Sequence, residues 1–287
     1  MIRRLLTLSA LFSCMPLLAD DAPLQLRVLS FNIRYINSGD TGARTWLARR
    51  DLASQVIRED KADLIGLQEA FRTMLDDIRV RVPGYEEVGV GREDGKEVGE
   101  YAAILVRKDR FEVLESGTFW LSDTPDVCAS CSWKNVVTRV CTWAKLKERQ
   151  TGKVIHFYNT HLDHESQEAR EKGFALIMDH LAKRRNNGEP FVITGDLNAA
   201  EDNPAFDHLK SGPLPVVDAW REKNPSVPLA ESGTMSLFTG KRDTGKIDYI
   251  FIPAGTRVID SEIVHRNRDG LYPSDHYPVR ATVEFSK

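Results

Sequence analysis

Short runs of apolar, β-branched and aromatic residues recur along the chain: LQLRVLSFNIR, ADLIGLQE, YAAILVR, VVTRVCTWAKL, VIHFYNTHL, PFVITGDL, IDYIFI and VRATVEF. Their length and their content of Val, Ile, Phe, Tyr and Thr predict strands. Two stretches follow a helical period instead. In TWLARRDLASQVIRED, Trp46, Leu47, Ala53, Val56 and Ile57 fall near one face. In SQEAREKGFALIMDHLAKRRNNG, Ala169, Phe174, Ile177, Met178 and Leu181 do the same, and the basic tail with Gly188 reads as the stop. Most other strands follow one another with no helix between them. That mixture predicts mixed sheets with helices packed outside, in one α/β domain over residues 24–287. No repeat, low-complexity segment or Gly/Ser/Pro linker divides that span.

Composition adds a leader and a compartment. Of 287 residues, 41% are hydrophobic and 28% charged, which permits a sizeable core and argues against disorder. Residues 1–19 read as a signal peptide: Arg3 and Arg4, the run LLTLSALFSCMPLLA, then Ala19 before Asp20 and Asp21. The run is short for a membrane span and is broken by Ser13 and Pro16. LFSC, ending at Cys14, is weakly similar to a lipoprotein cleavage site, with Phe12 a poor fit. Cleavage after Ala19 is the expectation, with a periplasmic or secreted product. The formal net charge is −3, and losing two arginines takes it to about −5. Proteins that live on nonspecific phosphate contacts are usually basic, so any nucleic-acid binding should be local and modest.

Cys128 and Cys131, in the loop TPDVCASCSWKN, suit a local disulfide in an oxidising compartment. Cys141 lies in a strand pattern and reads as a buried thiol. No His or Cys nearby has ordinary zinc spacing.

The candidate chemistry stands at the strand ends. LSFN delivers Asn32, LIGLQE delivers Glu69, and HFYNTHLDH delivers His161. FVITGDLN delivers Asp196 and Asn198, KIDYIF opens on Asp248, and YPSDHYPV delivers Asp275 and His276. Each alone is an ordinary turn residue. Six such runs together are harder to dismiss, since α/β proteins build sites at strand ends and the loops beyond them. Carboxylates and amide oxygens are hard ligands suited to Mg²⁺ or Mn²⁺. A neutral His backed by an acid can take a proton from water near neutral pH. A divalent ion polarises a phosphoryl oxygen and orients a leaving group. Hydrolysis of a phosphate ester uses all three. No G-x-S-x-G elbow is present, and no Cys sits beside a His in the sequence.

The ordered set SFNIR, LIGLQE, NTHLDH, GDLNA, KIDYIF and SDHYPV resembles the endonuclease/exonuclease/phosphatase superfamily, of which pancreatic deoxyribonuclease is the familiar member. The resemblance runs from about Arg27 to Val283. It implies a four-layer α/β sandwich, with two mixed β-sheets packed face to face and helices outside. It implies Asn32, Glu69 and Asp275 around a Mg²⁺ or Mn²⁺ ion, and Asp196 and Asn198 on the attacking water and the phosphate. It implies an Asp248–His276 acid–base pair, a Glu100–His161 pair, and Arg139 on a phosphate. Residue 34 is Arg, as in the pancreatic-nuclease branch, where the repair-nuclease branch has Asp, so it is not counted as a ligand. GREDGKEVGEY and GTFWLSDTP resemble a bacterial subgroup with poorly defined substrates.

The first functional expectation is an exported, metal-dependent phosphodiesterase acting on DNA, RNA or nucleotides, as a monomer. The alternative is a phosphatase or phosphodiesterase for a small or lipid-derived phosphoester. In that case the TFWLS run, Trp133, Phe238 and the GTMSLFTG loop could wall a pocket, although core and loop packing explains each aromatic singly. A binding module that had lost catalysis would show a broken motif set, and every motif here is intact. Arg49 and Arg50, on the helix with Trp46, could reach a phosphate, but a solvated basic turn accounts for them better.

Overall fold

The computed structural model describes residues 23–186, 188–207 and 214–286. The leader expected at residues 1–19 lies outside the described residues.

Twelve strands among these residues form two six-stranded sheets. The first runs in the order β11 (Arg257–Ile263), β12 (Val279–Phe285), β1 (Leu24–Asn32), β2 (Leu64–Ala70), β4 (Tyr101–Arg107), β3 (Tyr85–Val88). The second runs β5 (Phe111–Trp120), β6 (Val140–Glu148), β7 (Val154–His161), β8 (Phe191–Asp196), β10 (Asp248–Pro253), β9 (Val216–Asp218). Each sheet has one parallel pair, β1 with β2 and β7 with β8. A parallel pair needs a long crossover. Helices α1 (Trp46–Asp60) and α3 (Gln167–Ala182) supply the two crossovers. Helix α2 (Arg72–Arg81) joins α1 outside the first sheet, and α4 (Ala219–Lys223) is a short turn against β10 and β11.

Side chains alternate between faces along a strand. On β1, Leu26 and Val28 enter the core between the sheets, while Leu29 and Phe31 face α1 and α2. From the second sheet, Ile155, Phe157, Val192 and Ile250 meet them, while Tyr158, Ile193, Tyr249 and Phe251 lie in the outer cluster with α3. Three apolar layers therefore separate four structural ones, and the four-layer sandwich expected from the motifs is the fold. No helix among the described residues is long and apolar enough to cross a membrane.

Four details depart from the pattern reading. Leu47 is 70% exposed, because the buried stripe of α1 runs through Trp46, Leu52, Ala53, Val56 and Ile57. Helix α3 ends at Ala182 with Lys183 as its cap, so Gly188 belongs to the following loop. Cys128 and Cys131 are free and exposed thiols rather than a disulfide. Cys141 is a buried thiol, as its strand pattern implied. Arg49 is fully buried, donating to the carbonyls of Arg44, Ile33, Arg34 and Pro273, and burial lowers its guanidinium to about 10. It is a strut under the loop after β1, and Arg50 pairs with Asp77 at 3.2 Å.

Candidate active site

The inward-facing rows change character toward one end of the sandwich. On β1 the row Leu26, Val28 continues as Ser30, Asn32; on β2, Leu64 continues as Gly66, Gln68; on β7, Phe157 continues as Asn159, His161; on β8, Val192 continues as Thr194, Asp196. The spacing of two that puts apolar residues in the core thus delivers polar ones to the rim of the same space. Strand pairing then sets them side by side. His161 and Asp196 are register partners across β7 and β8, and Asp196 and Asp248 across β8 and β10.

A buried polar layer separates core from site. Gln68 Nε2 donates to Asn159 Oδ1 at 2.7 Å, Asn159 Nδ2 donates to the carbonyls of Leu67 and Ala103, and Thr194 Oγ1 donates to Asn159 Oδ1 at 3.0 Å. Gly66 makes room for it: a Cβ there would stand 2.1 Å from Thr194 Oγ1 and 2.5 Å from Asn159 Oδ1. These residues lie inside the quoted motifs, but their pairing across the sheets has no sequence signal.

Glu69 is turned into the cleft by a bulge. The β2–β4 register shifts between Leu67 and Ala70, and Glu69 itself has φ 59°. Such a left-handed residue is uncommon outside glycine, and bulges next to active sites re-aim side chains. Its oxygens accept from Asn32 Nδ2 and from the amide of Tyr35, both at 2.9 Å. Asn198 (φ 46°), Arg34 (φ 57°), Leu237 (φ 53°) and Phe238 (φ 58°) are also left-handed. Four of these five, Phe238 excepted, line one cleft of about 530 Å³. Its lining also includes Tyr35, Arg92, Glu100, Val137, Arg139, His161, His164, Asp196, Met235, Asp275 and His276.

The expected residues therefore converge, and three of them have protein partners that the motifs did not reveal. Asn32 donates its amide to both Glu69 and Asp196, at 2.9 and 2.8 Å, and its oxygen accepts the amide of Arg34. It braces two carboxylates, and its own oxygen is engaged by the Arg34 amide. Glu100 does not hold His161: its oxygens take Arg92 Nη1 and Nη2, both at 2.9 Å, and stand 3.8 Å from His161 Nδ1. Arg139 is 4% exposed, with Nη2 2.9 Å from His164 Nδ1 and its nearest carboxylate, Asp163, at 3.9 Å. Arg92 and His164 are site residues that motif reading missed, and Arg92's only signal was its place in GREDGKEVGEY. Of the residues considered for a pocket wall, Met235 and Leu237 from the GTMSLFTG loop line the cleft. Trp133 instead packs beside α3, and Phe238 lies against Arg44 and Arg49.

Asp248 Oδ2 lies 2.9 Å from His276 Nδ1. Lys246, also buried, steadies that strand start by donating to the Asp248 carbonyl and pairing with Asp218, each at 2.9 Å. Asn198 fixes the tautomer of His161. Its amide nitrogen faces the Leu162 carbonyl at 3.1 Å, so it also donates to His161 Nε2 at 3.0 Å. The ring hydrogen therefore sits on Nδ1.

Charge is unevenly compensated. Burial, with Asp248 adding to it, pushes Asp196 up to about 7. Burial also raises Asp275 and Glu100, against the pull of His276 and Arg92 respectively. Burial holds His161 well below the ordinary imidazole range, with Arg139 and Arg92 adding to it. Burial acts the same way on His276, but Asp248 and Asp196 outweigh it and hold His276 well above that range. Buried carboxylates raised in this way call for a cation. Glu69, Asp196 and His276 each offer a ligand atom within 4.8 Å of the others, and Asp275 feels the charge of Glu69. Carboxylate oxygens fit a hard divalent cation, with Asn32 bracing two of them.

The sequence profile described as "Endonuclease/Exonuclease/phosphatase family" matches residues 29–276. A solved endonuclease/exonuclease/phosphatase from Bacteroides vulgatus is 34% identical, with TM-score 0.82, over 92% of this chain and all of that one. A family protein from Bacteroides thetaiotaomicron is 31% identical, with TM-score 0.84, over 93% and 100% of the two chains. A mannosyl-6-phosphatase from Bacteroides thetaiotaomicron is 32% identical, with TM-score 0.81, over 90% and 99%. A comparison with curated protein sequences finds no match.

Proposed function

Because this chain belongs to the endonuclease/exonuclease/phosphatase family, whose members hydrolyse phosphoesters, we propose that it is a metal-dependent phosphatase for a compact phosphomonoester of the sugar-phosphate class. The observation that carries this reading is that Arg139 and Arg92 line one cleft of about 530 Å³ together with His276, four carboxylates and Arg34, whose guanidinium is taken up by Asp40 and Asp275. Arg139 has no short ion pair, and two guanidiniums match the two charges of a terminal phosphate. The volume is in the range of small-molecule sites. The 32% identical mannosyl-6-phosphatase supports the same class.

In this reading Glu69, Asp196 and Asp275 hold a Mg²⁺ or Mn²⁺ ion, with Asn32 fixing the angle between the first two. When bound, the ion supplies charge to the phosphoryl oxygens. Asp248 accepts the Nδ1 hydrogen of His276, which leaves Nε2 to move a proton. Asp196 and Asn198 hold the water and the phosphate, and Arg139 draws the phosphate to the His161 side. Tyr35, Val137, Met235 and Leu237 bound the leaving group. We also propose that the protein acts outside the cytoplasm as a monomer, after cleavage behind Ala19.

The test is a comparison of kcat/KM, with Mg²⁺ and with Mn²⁺, across hexose 6-phosphates, other phosphomonoesters, bis-p-nitrophenyl phosphate, plasmid DNA and RNA. Phosphomonoesters are expected to lead by about tenfold or more, a difference of about 1.4 kcal/mol in transition-state binding. Faster turnover of DNA or RNA would return the nuclease reading.

A further inference from the structure

Glu100 sits between two partners and is bonded to only one. Arg92 holds both of its oxygens at 2.9 Å, while His161 Nδ1 waits 3.8 Å from Oε2, beyond hydrogen-bond reach. That Nδ1 carries the ring hydrogen, is buried, and has no acceptor. A buried donor without a partner is unfavourable, and such groups in native proteins mark strain or function. Arg92 Nε is buried and unpartnered as well.

We infer that Arg92 is a positioning residue that keeps Glu100 off His161 until a phosphate enters, and that the phosphate takes over the guanidinium and lets Glu100 close on Nδ1. The inference rests on the phosphate-binding reading above. The backbone of Arg92 is clamped: its amide donates to the Glu100 carbonyl at 3.1 Å, and its carbonyl accepts from Trp120 Nε1 at 2.7 Å. Only the side chain is left to turn, and it lines the cleft with Arg139 and His161. A phosphate offers a guanidinium the same two-pronged geometry as a carboxylate. Glu100 then needs to travel only about 1 Å to reach Nδ1. The hydrogen stays on Nδ1 throughout, so the exchange is one of partners and no bond to hydrogen is broken. The device ties completion of the Glu100–His161 pair to the arrival of an anion.

The measurement is the His161 Nδ1 proton resonance in Mg²⁺-loaded protein with ¹⁵N-labelled histidine, assigned by its loss in H161Q and followed during titration with inorganic phosphate. The resonance is expected to move downfield as the carboxylate bond forms, saturating with the Kd that calorimetry gives for phosphate. In R92Q it should already lie downfield without phosphate, and phosphate should bind about tenfold more weakly. In E100A phosphate should still bind, with no downfield move. Should R92Q fail to fold, R92K replaces it: one ammonium cannot hold both oxygens in that geometry, so part of the downfield move should precede phosphate. Phosphate binding to the wild type with no movement of the resonance overturns the exchange alone. So does an R92Q or R92K spectrum identical to that of the phosphate-free wild type. Failure of phosphate to bind the Mg²⁺-loaded wild type overturns both the exchange and the phosphatase reading.

Discussion

Asp248 Oδ2 stands 2.9 Å from His276 Nδ1, and both side chains are closed off from solvent. Asp248 opens β10, and His276 lies just ahead of β12 in the opposite sheet. The pair therefore exists only where the two sheets meet. Removing a positioned acid–base group typically costs about 10² to 10⁴ in rate. His276→Ala and Asp248→Asn are each expected to lower kcat within that range, and the double variant should lose little more than His276→Ala, since the two act as one unit. Steady-state kinetics of the three variants decide it; losses that multiply would separate the two residues.

Glu69→Gln replaces a charged oxygen with an amide while keeping size. The left-handed backbone and the bonds from Asn32 and Tyr35 aim this side chain at the cleft. Turnover should fall by about 10² or more, and Mg²⁺ titration by calorimetry should show weaker binding, because a hard cation needs the carboxylate charge. Normal turnover at saturating Mg²⁺ would take Glu69 out of the ligand set.

The raised Asp196 makes stability depend on pH. Its carboxyl titrates near 7 in the fold and near 3.9 in the unfolded chain. Between those values the folded state binds more protons, so the stability this group contributes is complete below about pH 4 and is lost as pH rises through about 7. Metal-free protein should lose about 1 kcal/mol between pH 6 and pH 8 through this group. His161, lowered in the fold, acts in the opposite sense below about 6.5, while His276, raised in the fold, acts in the same sense as Asp196 above about 6.5 and adds to the loss, so His276→Ala is the control that isolates Asp196. Mg²⁺ competes with the proton, so it should raise the melting temperature more at pH 8 than at pH 6. Urea unfolding at the two pH values, with Mg²⁺ and with EDTA, would expose a wrong sign.

Gly66→Ala tests the polar layer. The added methyl would meet Thr194 Oγ1 at 2.1 Å and Asn159 Oδ1 at 2.5 Å, both held by hydrogen bonds. Overpacking plus a broken buried network should cost about 2 kcal/mol or more. A loss under about 0.5 kcal/mol in urea unfolding would mean that the layer yields easily.

Export is checked by the mature N-terminus. Residues 1–19 carry the charge and apolar pattern of a leader ending at Ala19. Protein isolated from the periplasm or the medium should begin at Asp20, and an intact Met1 on such protein would refute cleavage.

Local patterning was enough for the site's residue types and for the strand edge they share. Side chains alternate with a period of two, so FVITGD places Val192, Thr194 and Asp196 on one face whatever lies opposite. Six polar strand ends in order, each motif intact, identified the family and its sandwich. Partner choice was decided only in three dimensions. Glu100 went to Arg92 because the 91–99 turn brings that guanidinium within 2.9 Å, closer than the ring of His161. Asn32 became a brace because Glu69 and Asp196, from different sheets, lie on either side of its amide. Arg49 was buried because four carbonyls converge on it. A hydrogen bond depends on tenths of an ångström, whether its partners are 8 residues apart, as Arg92 and Glu100 are, or 224, as Arg49 and Pro273 are, and a pattern of neighbours along the chain carries no such distances.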